Sequence, residues 1–167
     1  MSITLEQGAI DAVNKEIEQS FKGIEDAILE QLAYAGEQAL NVARSVVTKN
    51  GYKGSGIPYQ VQTRNLVSST GYCIVKDGRI IKISDFKAER GTDNETGESY
   101  DGTEGSMTGK KYAQSLAAKF PTGYALILVA GMYYASYVQE LHHRDVLNSA
   151  ELIATELVNK LQAKLRK

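Results

Sequence analysis

YALILVAGMYYASYVQELHHRDVLNSA, residues 124–150, passes from a continuous apolar run (125–130) through Gly131 into a segment bearing Tyr133, Tyr134 and Tyr137, then through a polar corner toward the last apolar pattern of the chain. A short run with no polar face is a strand covered on both sides, the pattern of a central strand in its sheet. If the tyrosine segment is helical, Tyr133 and Tyr137 stack at i and i+4 while Tyr134 turns aside, which divides them between a packed and an exposed set. Tyrosine suits either place, because it buries a large ring and keeps its hydroxyl wet.

Downstream of the corner, Asp145 is a candidate N-cap for a helix whose stripe runs through Val146, Leu147, Ala150, Ile153, Ala154, Leu157, Val158, Leu161 and Leu165. Its basic end, Lys164, Arg166 and Lys167, suits the negative pole of the helix dipole. Upstream, residues 72–86 (YCIVKDGRIIKISDF) place Asp77-Gly78 between β-branched runs, the two-residue turn of a hairpin. Closing it there pairs Lys76 with Arg79, Val75 with Ile80, Ile74 with Ile81 and Tyr72 with Ile83. One face then carries Tyr72, Ile74, Ile81 and Ile83, and the other Cys73, Val75, Ile80 and Lys82.

At the other end, Ile24, Ile28, Leu32, Ala35, Ala39, Val42, Ala43 and Val46 recur at helical steps and form a stripe that should pack on a sheet. Glu25, Glu30, Glu37 and Arg44 take the opposite face, and Lys49-Asn50-Gly51 closes the helix. Residues 5–21 carry a weaker helical pattern, interrupted by Gly8 and followed by Gly23. Residues 50–58 read as a loop, and residues 59–70 as an irregular strand or a short helix. Residues 87–111 hold five glycines and six carboxylates, which predicts a mobile loop unable to anchor a core, followed by a short helix over 112–120 that ends at Pro121. The expectation is one α+β domain over residues 1–167: a long N-terminal helix and a C-terminal helix on a small, mainly antiparallel sheet that contains a hairpin.

With 19 Lys and Arg against 20 Asp and Glu, the net charge is −1, so the chain as a whole has no pull toward nucleic acid or an anionic membrane. The single cysteine, Cys73, excludes an internal disulfide and fits a reducing compartment. No leader-like or membrane-spanning run is legible, and an intracellular product is expected.

Candidate chemistry is thin. Residues 105–111 (GSMTGKK) have three residues between the glycines and a lysine where a phosphate-binding loop needs four and a Ser or Thr. The acidic run Asp93, Glu95, Glu98, Asp101 and Glu104 lacks calcium-loop spacing. His142 and His143 are adjacent and point apart. Ser68, Ser69 and Cys73 lack a nucleophile's partners in any recognisable spacing. No catalytic, cofactor or metal set emerges, and the expectation is a protein that is not an enzyme.

Three stretches carry a family pattern: Thr63-Arg64-Asn65-Leu66-Val67-Ser68-Ser69, Tyr134-Ala135-Ser136-Tyr137-Val138-Gln139-Glu140, and Arg144-Asp145-Val146-Leu147-Asn148-Ser149-Ala150. In order and in their relation to the hairpin and helices, they resemble the tail-completion (neck, head-tail joining) proteins of tailed bacteriophages. Arg64 stands where that family carries glycine. The resemblance implies a non-catalytic virion subunit without cofactor that forms a homo-oligomeric ring. Its partners would be neck, connector or tail-tube proteins, and it would pass from host cytoplasm to the head-tail interface. Candidate interface or corner residues are Arg64, Tyr133, Tyr134, Tyr137, Glu140 and Arg144, with Glu140 and Arg144 one helical turn apart and able to pair. The alternative is a small mobile-element enzyme or ligand-binding domain that uses residues 87–111 as a lid.

Overall fold

The computed structural model describes residues 7–48, 64–92, 96–140 and 146–166, without the side chains of residues 46–48, 137, 139 and 140. In chain order the elements are α1 (Gln7–Thr48), α2 (Asn65–Ser68), β1 (Thr70–Lys76), β2 (Arg79–Ile83), β3 (Gly91–Thr92), β4 (Ser99–Tyr100), α3 (Thr103–Ala117), β5 (Tyr124–Ala130), α4 (Ala135–Glu140) and α5 (Asn148–Leu165). The α+β expectation holds: long first and last helices pack on a three-stranded antiparallel sheet ordered β2-β1-β5.

The sheet lies between two helical layers. On one face Tyr72 and Ile74 of β1, with Leu126 and Leu128 of β5, pack against α1 (Leu32, Leu40) and α5 (Val158, Leu161). On the other face Cys73, Val75, Ile127 and Val129 meet Ala113 and Ala117 of α3 and the ring of Phe86. β1 is therefore the central strand, and β5, expected to be central, has β1 as its only ladder partner among the described residues. An apolar run reports that both faces are covered; it says nothing about the two edges, which are backbone.

The hairpin forms on its turn, with Asp77 at φ 50° and Gly78 at φ 77°. The turn is fixed to the start of β5, since Asp77 donates its N–H to Gly123 O (2.9 Å) and accepts the Gly123 N–H on Oδ1 (2.8 Å). Lys76 pairs with Arg79 and Val75 with Ile80, as the turn dictates. Beyond them a bulge shifts the register, so Ile74 opposes Lys82 and Cys73 opposes Ile83, in place of the expected pairs Ile74 with Ile81 and Tyr72 with Ile83. The extra residue sends Ile81 outward, 48% exposed, and turns Ile83 to the α3 side beside Cys73, Val75 and Ile80.

Two helices differ from expectation. α1 is continuous through Gly23, one helix where residues 5–21 had read as a separate, weaker piece. Its proposed closure at 49–51 and the loop at 50–58 lie outside the described residues. α3 begins at Thr103, inside the segment expected to be a structureless loop, and stops before Pro121. Its last residues do anchor a core, through absent side chains: Gly105 and Gly109, continued by Ala113 and Ala117 in the expected short helix, recur every fourth residue and all are buried. A Cβ on Gly109 would stand 2.3 Å from Ser69 O and 2.8 Å from the Phe86 ring. The helix thus lies nearly backbone to backbone on its neighbours.

Candidate functional site

The corner after β5 is built around α2. Asn65, Leu66, Val67 and Ser68 are all buried, which resolves residues 65–68 as a short helix where a strand had been the other possibility. Leu66 and Val67 join Met132, Val138 and Val146 in one cluster, with Tyr134, Ala135 and Leu147 packed against it. The stretch at 63–69 therefore meets the two neighbouring stretches at 134–140 and 144–150, some 65 to 80 residues further along the chain, in one small satellite core.

Polar groups lock the corner to α3. Ser69 O accepts the Gly131 N–H at 3.1 Å, and Gly131 lies so close to Gly109 that a Cβ would come within 2.5 Å of its Cα. The Asn65 amide donates to Glu104 Oε2 (3.0 Å). Ser68 Oγ donates to Arg64 O (2.9 Å) and accepts the Glu89 N–H (2.9 Å), while Ser69 Oγ donates to Leu66 O (2.8 Å). Both serines are fully buried, and their hydroxyls are taken up by backbone groups: Ser69 within its own turn, Ser68 both there and across to Glu89. Cys73 is likewise buried, and burial pushes its thiol pKa up, away from the nucleophilic thiolate.

Arg64 caps α2 at φ 54°, ψ 11°, a left-handed conformation that glycine adopts without the Cβ penalty. Its guanidinium pairs with Glu89 at 3.0 Å. Tyr133 and Tyr134 precede α4 and make an edge-to-face contact (5.2 Å between centroids, 86° between planes). They fall in opposite sets, as the reading of the sequence divided them, although both precede the helix: Tyr134 packs on the satellite core, and Tyr133 stands 89% exposed. The side chains of Tyr137 and Glu140, and all of Arg144, lie outside the described residues, as do the corner pair they were expected to form and the proposed N-cap Asp145. α5 itself begins at Asn148, after Leu147, which makes no side-chain cap.

The carboxylates of the 87–111 segment that are described have structural partners. Asp101 Oδ1 accepts the Thr103 N–H at 2.9 Å, which holds its carboxyl below the usual carboxylate range and fixes the first turn of α3. Glu98 accepts from Tyr100 (2.9 Å). Asp93, Glu95, His142 and His143 lie outside the described residues; among the described ones no group of three or more His, Cys, Asp or Glu could hold a metal. No described helix is long and apolar enough to cross a membrane.

An apolar groove of about 450 Å³ runs along β5 and α5, lined by Leu32, Phe120, Tyr124, Leu126, Leu128, Leu147, Ala154 and Val158, with Glu151, Thr155 and Asn159 supplying its polar groups. No described residue of 87–111 borders it. Glu151 is the one carboxylate among the described residues that line it.

The corner's supporting residues, Asn65, Ser68, Ser69, Glu89, Glu104, Gly109 and Gly131, were not expected at the site. One signal for them was in the sequence: small residues at 105, 109, 113 and 117 keep helical spacing from the end of the supposed loop into the expected short helix. Comparison with protein-family models, with curated proteins and with solved structures gives no match to this chain.

Proposed function

We propose that this chain is a virion structural subunit of the tail-completion or neck type, which forms a homo-oligomeric ring and contacts neighbouring connector or tail-tube proteins. The observation that carries the reading is the convergence of the three family-like stretches in one satellite core (Leu66, Val67, Met132, Val138, Val146), with Tyr133 projecting from it. A shared pattern scattered over the chain would carry little weight; one whose members pack on each other describes a module. The conformation of Arg64 supports the same reading, because a left-handed position is where a related chain would carry glycine. Tyr133 is then a contact residue: a large ring held at a fixed corner loses little entropy on docking.

The test is to mix the purified chain with purified connector or tail-tube assemblies and to image the products by negative-stain electron microscopy. Rings of the chain seated on one of those assemblies are the expected result. Tyr133→Asp should prevent seating and leave the melting transition unchanged, since the ring is already in water. A chain that forms no ring and binds neither assembly overturns the reading.

A further inference from the structure

The N-terminal half of α1 stands away from the body. Every residue from 7 to 24 is exposed, whereas Leu32, Ala35, Ala39 and Ala43 further along the helix are buried. This arm is about 27 Å long at 1.5 Å per residue. It is not polar all round: Ile10, Val13, Ile17, Phe21 and Ile24 lie on one stripe and are 37% to 68% exposed. The stripe continues the buried one, since positions 10, 13 and 17 recur 11 residues later as 21, 24 and 28, and again as 32, 35 and 39. An 11-residue repeat keeps apolar positions aligned along a nearly straight helix. One seam therefore runs the length of α1. Its second half is covered by the sheet and by α5, which lies antiparallel, its Val158 and Leu161 beside Ile28 and Leu32 and its Ala150 and Ala154 beside Ala39 and Ala43. No described residue of the body covers the first half.

We infer that a second copy of this chain covers it, the two α1 arms pairing antiparallel about a two-fold axis at Ile17. The spacing 3, 4, 4, 3 along Ile10, Val13, Ile17, Phe21 and Ile24 reads the same in both directions. Antiparallel pairing therefore sets Ile10 against the partner's Ile24, Val13 against the partner's Phe21, and Ile17 against the partner's Ile17, the self-complementary contact that a two-fold interface requires. Parallel pairing would match these residues as well, but the body excludes it. From Ile28 onward the stripe side of α1 is filled by sheet and α5, which is where a parallel partner helix would have to continue. An antiparallel partner runs the other way, beyond residue 10, and carries its own body to the far end. Charge does not choose the direction, because Lys15 and Lys22 lie on the side of the helix away from the stripe. Five side chains from each copy make a small interface, so the dimer exchanges with monomer as concentration falls. The pairing is independent of the ring reading and leaves the Tyr133 corner free.

Sedimentation equilibrium of the whole chain over a wide concentration range should show a monomer–dimer equilibrium. Ile17→Asp, which puts two carboxylates on the axis, should weaken it about a hundred-fold or more, with the melting transition of the body unchanged at low concentration. Cysteine variants read the geometry without relying on that substitution, since Cys73 is buried and does not compete. Under mild oxidation Ile17→Cys should link to itself, and a mixture of Ile10→Cys and Ile24→Cys should link, while neither of those two links alone. A wild-type chain that stays monomeric at every concentration, an Ile17→Asp dimer as tight as wild type, or Ile10→Cys linking to itself overturns the proposal. None of these outcomes bears on ring seating through Tyr133, which is read separately.

Discussion

The two halves of α1 carry the same apolar seam in opposite circumstances. Residues 28–43 lie beneath a sheet and a second helix, and no described residue of the body packs on the stripe of residues 10–24. A helix of ordinary propensity in water is marginal and gains most of its stability from burying one face. The covered half is thus held by the body. The bare half, with Gly8 and Gly23 each costing about 1 kcal/mol against alanine, has reason to seek cover from another molecule. Periodicity records that a face is meant to be buried; it does not record by what.

Substitutions can break this contrast. The largest expected effect is in the covered half: Leu40→Ala should lower unfolding stability by about 2–5 kcal/mol, the loss of a buried leucine plus the cavity it leaves. Ile17→Ala, measured by denaturant melts at concentrations too low for dimers, should shift stability by no more than about 0.5 kcal/mol. Equal losses at the two positions would mean that the arm is packed on its own body.

Next comes the close approach of α3. Gly109→Ala should cost about 1–3 kcal/mol by overpacking against Ser69 O and Phe86, whereas Gly8→Ala, with nothing within 4 Å of the new methyl, should leave the body untouched and strengthen the arm's helix. Circular dichroism and urea melts of the two variants make that comparison.

The smallest effects concern two carboxylates. Glu25 stands where arm meets body and accepts a bond from Lys76 at 2.5 Å, and Lys76 also lies over the Tyr124 ring, 5.5 Å from its centroid. The hydrogen bond from Lys76 holds the Glu25 carboxyl below its usual range, as the Thr103 amide does for Asp101. Both groups bind protons more weakly folded than unfolded. Their contribution is therefore complete above the ordinary carboxylate range and is lost as pH falls through the lowered values. Acid titration followed by thermal melts should show wild type losing stability across that window. Glu25→Gln and Asp101→Asn should each remove part of the slope there while leaving the slope near neutrality unaltered. A variant with the full wild-type acid slope would remove its carboxylate from this account.

Within the site, legibility followed the range of the interaction. Arg64 could be singled out from the residues around it, but its left-handed backbone and its bond to Glu89 could not. Ser68 and Ser69 could be judged poor nucleophiles from their neighbours, yet their positions at the join of α2, α3 and β5 depend on elements that only folding brings together. The tyrosine stretch announced that some rings would be packed and some exposed. Which were which depended on α4 starting at Ala135, after Tyr133 and Tyr134.

What the sequence determined by itself was whatever depends on neighbours a few residues apart. It specified the Asp77-Gly78 turn, the helical stripes of α1 and α5, the apolar strand β5 and the α+β order, because φ/ψ preference and side-chain period are local properties. What only the tertiary structure decided was who meets whom. β1 became the central strand in place of β5, a bulge sent Ile81 outward, and the end of a glycine-rich acidic segment became the first half of a helix packed on the core by its small residues. Each depends on backbone edges and on the space between elements, and no residue's own chemistry encodes those.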